Sequence, residues 1–383
     1  DVLITPYTRF DKRILYREYD VTDLINVGRN AIGIHAGNGF FNNNMSSWNE
    51  RMTTWRDRPR VLVNLFVKLN DDSELLIKSD TGWKSDFGCC PYNGVRRGEI
   101  CDARLRVPYD EIGFDDSQWE NVEVGVEPGG AYEPFNMEPI RIIREIKPVS
   151  YKNGVYDFGE NTSGWCKIVL SGECGQEISL KYGEALDGEG NISDGSGTIA
   201  ERESPELVNE DRFICSGKEK EEYAPSLLYH GFRYVQVSNA PDDFEITAQV
   251  VHTDLNKIGD FECNDEMLNK IHRASVRSTL TNYHGIPEDC PHREQNGWLG
   301  DAHLSSDQAM MNFDMTRVYK KYVKDIADSQ RPNGALSGIA PTSNWGYFCG
   351  VSWTAAFLII PWNVYFMTGD REILVENWES FVR

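Results

Sequence analysis

The chain has 383 residues, 40% of them hydrophobic, with 39 Lys and Arg against 60 Asp and Glu and a formal net charge of −21. That length suits roughly two to three domains. The charge argues against nucleic acid, which needs clustered Lys and Arg, and against an anionic membrane surface; a neutral glycan, bound by stacking and hydrogen bonds, fits it.

Residues 1–130 read as β. Val61-Leu-Val-Asn-Leu-Phe-Val67 and Glu74-Leu-Leu-Ile-Lys78 are β-rich runs around an Asn70-Asp71-Asp72 turn, which predicts a hairpin. Residues 140–253 read as a second β unit. Gly164-Trp-Cys-Lys-Ile-Val-Leu170 and Glu177-Ile-Ser-Leu-Lys-Tyr182 alternate at period two, and residues 232–237 and 244–251 resume strands after a polar insertion at 187–210. Short strands between turn clusters predict a sandwich.

From about residue 258 the period becomes helical. Apolar side chains at 315, 318, 319, 322, 323 and 326 share one helical face, with Asp314 at the N-cap. Residues 371–383 repeat this, with Gly369 as a C′ glycine and Asp370 as the next N-cap. Pro361 should start or kink a helix. About five helices fit after residue 258, too few to close a helical toroid.

The nine cysteines are irregularly spaced and odd in number, so they do not read as a disulfide framework, and no CxxC pair suggests zinc. Free thiols favour a reducing, cytoplasmic compartment, with a periplasmic or extracellular one left open. Cys89-Cys90 reads as a strand or turn pair. The chain opens on Asp1-Val-Leu-Ile with no basic leader region, and without an initiator Met that says little about location. No stretch is expected to approach the ~18–20 apolar residues that span a bilayer.

The most informative stretch is Asp289-Cys-Pro-His-Arg-Glu-Gln-Asn-Gly-Trp-Leu-Gly-Asp301. Three carboxyls, a guanidinium, an imidazole and an indole stand together, a set suited to gripping a sugar and protonating a glycosidic oxygen. The stretch is the best local source of an acid, and Glu294 is one candidate for it. Asp289 and Asp301 would raise a neighbouring carboxyl pKa and Arg293 would lower it, so the balance depends on geometry; a surface ion pair between Glu294 and Arg293 is the competing reading.

In this order the segments resemble a bacterial α-L-rhamnosidase of the inverting (α/α)6-barrel type. Tyr19-Asp-Val-Thr-Asp-Leu24, Asn30-Ala-Ile-Gly-Ile34, Gly37-Asn-Gly-Phe40 and Gly98-Glu-Ile-Cys-Asp-Ala-Arg104 resemble its N-terminal carbohydrate-binding-like sandwich. Tyr156-Asp-Phe-Gly-Glu-Asn161, Tyr182-Gly-Glu-Ala-Leu186 and His230-Gly-Phe-Arg-Tyr-Val235 resemble its second sandwich. The 289–301 stretch and Ile359-Ile-Pro-Trp362, followed by Tyr365 and Gly369-Asp370, resemble the start of its barrel. The resemblance implies a multidomain fold: residues 1–135, a β-sandwich incomplete at its start; 136–255, a second β-sandwich; and 256–383, the first part of a six-hairpin barrel. It implies hydrolysis of terminal α-L-rhamnosyl residues with inversion, an isolated fragment that is inactive, and a general base outside this chain.

It places the general acid at Glu294 and sugar contacts at Asp289, Arg293 and Asp301, with Trp298 stacking on the sugar or walling the pocket and Trp353 as a further contact. Asp301 could instead cap a helix opening at Gly300-Asp-Ala-His-Leu304. In Ser352-Trp-Thr-Ala-Ala356 the family usually has an acidic residue where Ala355 stands, which puts the sugar specificity in doubt. Trp345 and Tyr347 could line the mouth, though loop packing explains them as well. His292 reads as structural and Cys290 as a packed small side chain without a thiol-catalysis partner. No cofactor is implied. Asp187-Gly-Glu-Gly-Asn191 lacks the glycine and glutamate of a calcium loop, so it reads as a turn, and Asn38 is a faint candidate for calcium in the N-terminal sandwich. Two alternatives stand beside the rhamnosidase: a non-catalytic carbohydrate-binding assembly, and a related inverting glycosidase acting on another sugar.

Overall fold

The structure, a computed structural model, describes residues 1–193 and 207–383, so residues 194–206 of the polar insertion lie outside the described residues. In the N-terminal unit Asn64–Lys68 and Glu74–Lys78 form the expected antiparallel hairpin, and Asp72 takes up the turn at φ 64°. Arg13–Tyr16 pairs parallel with Ala131–Pro134, and Lys84–Ser85 antiparallel with Glu120–Asn121. The ladders are short and separate, joined by long irregular connections.

The second unit is one curled sheet of ten strands. Its main path runs Tyr92–Gly94, Gly98–Asp102, Glu210–Ile214, Glu177–Gly183, His230–Ser238, Val155–Leu170, Glu245–Thr253, Ile140–Ile146. Its first two strands come from the N-terminal part of the chain. Gly98 permits this: a Cβ there would lie 1.7 Å from the Glu210 carbonyl oxygen, so only glycine lets the parallel neighbour approach. Val155–Leu170 is 16 residues long and exchanges partners along its length, with a register shift between Asp157 and Thr162. Gly164, at φ 137°, sits where a Cβ would be 2.0 Å from the Gln249 carbonyl oxygen. The curled sheet encloses Phe158, Ile168, Ile178, Leu180, Phe213 and Phe232, each contributing about 1.5–3 kcal/mol by leaving water.

The helical unit contains α1 (Glu266–Thr281), α2 (Leu299–Asn312), α3 (Thr316–Asp328), α4 (Val351–Thr354), α5 (Ala356–Thr368) and α6 (Glu372–Val382). Asp265 caps α1 by accepting from the Met267 and Leu268 amides. On α3 the expected face, Val318, Tyr319, Tyr322, Val323 and Ile326, is buried. Met315 holds its N-cap position, while the Asp314 carboxylate one residue earlier accepts from the Thr316 amide at 3.1 Å. Gly369 ends α5 at φ 75°, and Asp370 accepts from the Glu372 amide. Pro361 lies inside α5 and does not start it.

One expectation is corrected. Residues 351–368 are long and apolar enough to cross a bilayer by length and composition alone. Period counting missed the stretch because α5 is apolar on all sides. Its Ala356, Phe357, Ile360 and Val364 pack into the helical core, while Trp362 and Phe366 are exposed, as is Trp378 of α6.

The N-terminal unit is tied to α3 by a buried charge network. The Arg13 guanidinium pairs with Asp325 and Asp328, and Lys321 pairs with Asp325 and donates to the Tyr7 carbonyl. With Asp325 fully buried, both cations share in compensating its charge.

Candidate active site

Residues 289–296 form a tight loop closed at its neck by the chain itself. The Asp289 amide donates to the Asn296 carbonyl at 3.0 Å, the Asn296 amide to Asp289 Oδ1 at 3.1 Å, and the Gln295 amide to the Cys290 carbonyl at 3.0 Å. Gln295 takes a left-handed φ of 50°, uncommon for a side-chain-bearing residue. Its buried amide donates to the Tyr229 and Pro291 carbonyls and holds it there. Beyond the loop the chain enters α2. Gly297 lies against the Ala340 carbonyl, 2.0 Å from where a Cβ would stand, and the Tyr322 hydroxyl donates to the Gly297 carbonyl.

This loop lifts Glu294 into contact with its neighbours. Its Oε2 accepts from the Trp298 indole N–H at 2.9 Å, and its Oε1 pairs with Arg293 Nη2 at 3.1 Å. The Glu294 side chain is 16% exposed, so it does not point into bulk water. The ion pair with Arg293 is therefore present, inside a cluster of carboxyls. Burial pushes the Asp289 carboxyl up to about 7, the Glu294 carboxylate adding to it against lowering hydrogen bonds from Asn296 and Cys290. Asp301 is raised too, first by its partial burial and then by Glu294, with His303 opposing. Glu294 thus sits close enough to Asp289 and to Asp301 to raise both, and raised carboxyls of this kind cluster at functional sites.

Asp301 is not the helix cap. Trp298 occupies that position, and Asp301 lies within the first turn of α2. There its negative charge meets the positive end of the helix dipole. Trp353, on α4, is brought to the same place: a Cβ on Gly300 would stand 2.8 Å from its indole ring. Trp298 meets Trp345 edge-on at 5.8 Å, and Trp345 meets Phe348 at 5.0 Å, so Trp345 packs between these two rings. Tyr347 packs differently, under the Arg331 guanidinium at 3.6 Å, with its hydroxyl on the Ser329 carbonyl.

Sequence reasoning missed what clamps this loop from outside. Arg96 is buried and reaches it from the N-terminal part of the chain. Its Nε donates to the Glu294 carbonyl at 2.6 Å, its Nη2 to Asn296 Oδ1 at 2.7 Å, and its Nη1 to the buried Glu50 carboxylate at 2.6 Å. The guanidinium lies over the Trp48 ring at 4.8 Å and the Phe40 ring at 5.3 Å. Met45 and Trp48 join Ile339 in a small core against which Trp298 and Trp345 pack. From the curled sheet, Asn209 bonds the His292 ring at 2.9 Å and the Tyr229 hydroxyl donates to Glu288 at 2.6 Å. The loop therefore lies where all three units meet. Nothing local in Val95-Arg-Arg-Gly-Glu99 announces a partner about 200 positions away.

The remaining sequence candidates have structural surroundings. The Cys290 thiol donates to Asp289 at 3.3 Å, receives the Glu294 amide at 3.4 Å, and is pushed up to about 12 by burial and by Asp289, so it is no thiolate nucleophile. Asp187 accepts from the Glu189 and Asn191 amides, which makes a turn. The Asn38 side chain is taken up by Asn93 and Asn42.

Comparison with known proteins follows the chain in three blocks. Residues 1–144 match the α-L-rhamnosidase N-terminal domain, 147–254 the bacterial α-L-rhamnosidase concanavalin-like domain, and 256–383 the bacterial α-L-rhamnosidase six-hairpin glycosidase domain. An α-L-rhamnosidase of Formosa agariphila is 34% identical over 97% of this chain, which covers 41% of that protein. The solved α-L-rhamnosidase of Dictyoglumus thermophilum superposes with a TM-score of 0.88 at 35% identity, over 99% of this chain and 42% of that one. That of Streptomyces avermitilis, complexed with L-rhamnose, gives 0.88 at 26% identity, over 99% of this chain and 37% of that one. The chain thus spans about two fifths of the length of the relatives it matches.

Proposed function

We propose that this chain, which belongs to the bacterial α-L-rhamnosidase family, carries the acid half of an inverting glycosidase that removes terminal α-L-rhamnosyl residues. The observation that carries the reading is the Glu294 carboxyl, held against Trp298 and flanked by Asp289 and Asp301. In this reading Glu294 gives its proton to the glycosidic oxygen as the bond from that oxygen to the anomeric carbon breaks, and the leaving alcohol departs neutral. A second carboxylate takes a proton from the water attacking the opposite face, which inverts the centre. That partner is assigned to the part of the relatives' length beyond this chain, so the 383 residues alone are expected to hydrolyse nothing.

Asp289 and Asp301 accept sugar hydroxyls, and Arg293 orients the acid and donates to the sugar. Trp298 and Trp353 provide flat apolar faces for its C–H surface. L-rhamnose recognition is supported by the Streptomyces avermitilis relative, complexed with that sugar.

The test is Glu294→Gln in a polypeptide extended to the relatives' full length. Hydrolysis of alkyl α-L-rhamnosides, whose leaving alcohol depends on a proton donor, should fall by at least about 10²-fold, the lower range of a positioned general acid, with the melting temperature unchanged. Undiminished turnover rejects the assignment. A panel of other aryl glycosides decides the sugar, the point at which Ala355 departs from the family.

A further inference from the structure

Away from the carboxyl cluster, three thiols converge. Cys89 and Cys90 end the loop that leads into Tyr92–Gly94, and Cys101 lies on the neighbouring Gly98–Asp102 strand. The antiparallel turn back brings them together, and the Asp102 amide fixes the register by donating to the Cys89 carbonyl at 2.7 Å. Cys89 Sγ is 4.0 Å from Cys90 Sγ and 3.8 Å from Cys101 Sγ, and all three sulfurs fall within 4.8 Å of one another. From sequence no metal is assigned here, because the ligands are spaced by the hairpin and form no CxxC.

We propose that Cys89, Cys90 and Cys101 form a three-thiolate site for a thiophilic d10 cation such as Zn2+. A tetrahedral zinc with metal–sulfur bonds of about 2.3 Å sets its sulfurs roughly 3.8 Å apart, close to the separations found. The charges also close. Three thiolates and a divalent cation leave one negative charge, and the Arg106 guanidinium stands 3.6 Å from Cys101 Sγ to balance it. Arg106 is fixed there by a 3.0 Å bond to the Glu222 carbonyl and by the Phe213 ring beneath it. Cys101 is buried while Cys89 and Cys90 are half-buried, so a cation could enter from their side. A water completes the tetrahedron on that side, or the His35 imidazole, whose Nε2 lies 3.6 Å from where a Gly88 Cβ would stand. The three protons released on binding go to solvent.

The bound ion would pin the loop carrying Cys89 and Cys90 to the Gly98–Asp102 strand, which only three residue pairs join to Tyr92–Gly94. The site is independent of the catalytic reading.

The test uses the full 383-residue chain, reduced and stripped with chelator, then titrated with Cd2+ under ultraviolet absorption and with Zn2+ under mass-spectrometric alkylation footprinting. The expected result is a thiolate-to-metal band saturating at one Cd2+ per chain. Zn2+ should protect Cys89, Cys90 and Cys101 from alkylation and leave the exposed Cys174 reactive. Cys90→Ser, at a half-exposed position that should still fold, should weaken binding by at least about tenfold, and Cys174→Ser should change nothing. No band, equal binding by Cys90→Ser, or conversion of the thiols to a disulfide without metal uptake would each overturn the proposal.

Discussion

Replacing Arg96 by Lys tests whether the N-terminal unit positions the proposed acid. Arg96 makes three charge-assisted bonds, to the Glu294 carbonyl, Asn296 Oδ1 and Glu50 Oε1. A lysine ammonium cannot reproduce that planar fork and should keep one of the three. Two lost bonds of about 1.5–3 kcal/mol each give a local loss of about 3–6 kcal/mol. Alanine is a poorer probe, since it removes all three bonds and the positive charge together; lysine keeps the charge. The freed loop should let Glu294 drift, and a misplacement of about 1 Å is worth about 10²-fold in rate.

The assay is rhamnoside hydrolysis by a full-length polypeptide, with two leaving groups compared. An acidic phenol needs little help from a proton donor, whereas an alkyl alcohol depends on it. Arg96→Lys should lower kcat by roughly 10–100-fold for the alkyl rhamnoside, by much less for the acidic aryl one, and leave KM nearly unchanged. An equal fall for both leaving groups, or no fall alongside a wild-type melting curve, would refute the positioning role.

Asp289 gives a pH signature. Its folded pKa of about 7 lies above the ordinary carboxyl value, so the folded state holds a proton that the unfolded state has released between about pH 4 and 7. Its contribution to stability therefore falls as pH rises through that window, and the penalty, at most a few kcal/mol, is complete above it. Asp289→Asn should show a stability gain over the parent that grows from pH 4 to 7 and then levels; a gain independent of pH in thermal melts would contradict the assignment. Gly300→Ala should push the Trp353 ring off its seat, 2.8 Å from the new Cβ. A helix-propensity gain of about 1 kcal/mol is set against an overpacking cost of about 1–3 kcal/mol, so stability should fall by about 0–2 kcal/mol while tryptophan fluorescence shifts and the rhamnoside KM rises. An unchanged spectrum and KM would remove Trp353 from the site.

Local signals carried much of this protein. The period-two runs became strands of one sheet, each pairing with His230–Ser238 between them, the heptad-like spacing at 315–326 became the buried face of α3, and Asp314, Gly369 and Asp370 marked helix ends to within a residue. These are short-range effects of side-chain period and backbone capping, and they survive in any context. Pro361 stands inside α5 rather than at its start; a proline removes one amide bond, and a helix already buried through Ala356, Phe357 and Ile360 can absorb that loss.

Composition and spacing determined the chemistry on offer: acids, an arginine and indoles gathered within 289–301, and sulfur at 89, 90 and 101. Tertiary structure decided which of them meet. It set Trp353 against Gly300, kept Tyr347 on Arg331, made Trp298 and not Asp301 the cap of α2, and sent Arg96 to grip the acid's own carbonyl. The reason is that charge repulsion, desolvation and hydrogen-bond direction act over a few ångströms of space, and residues 96 and 294 come that close only after all three units have packed together.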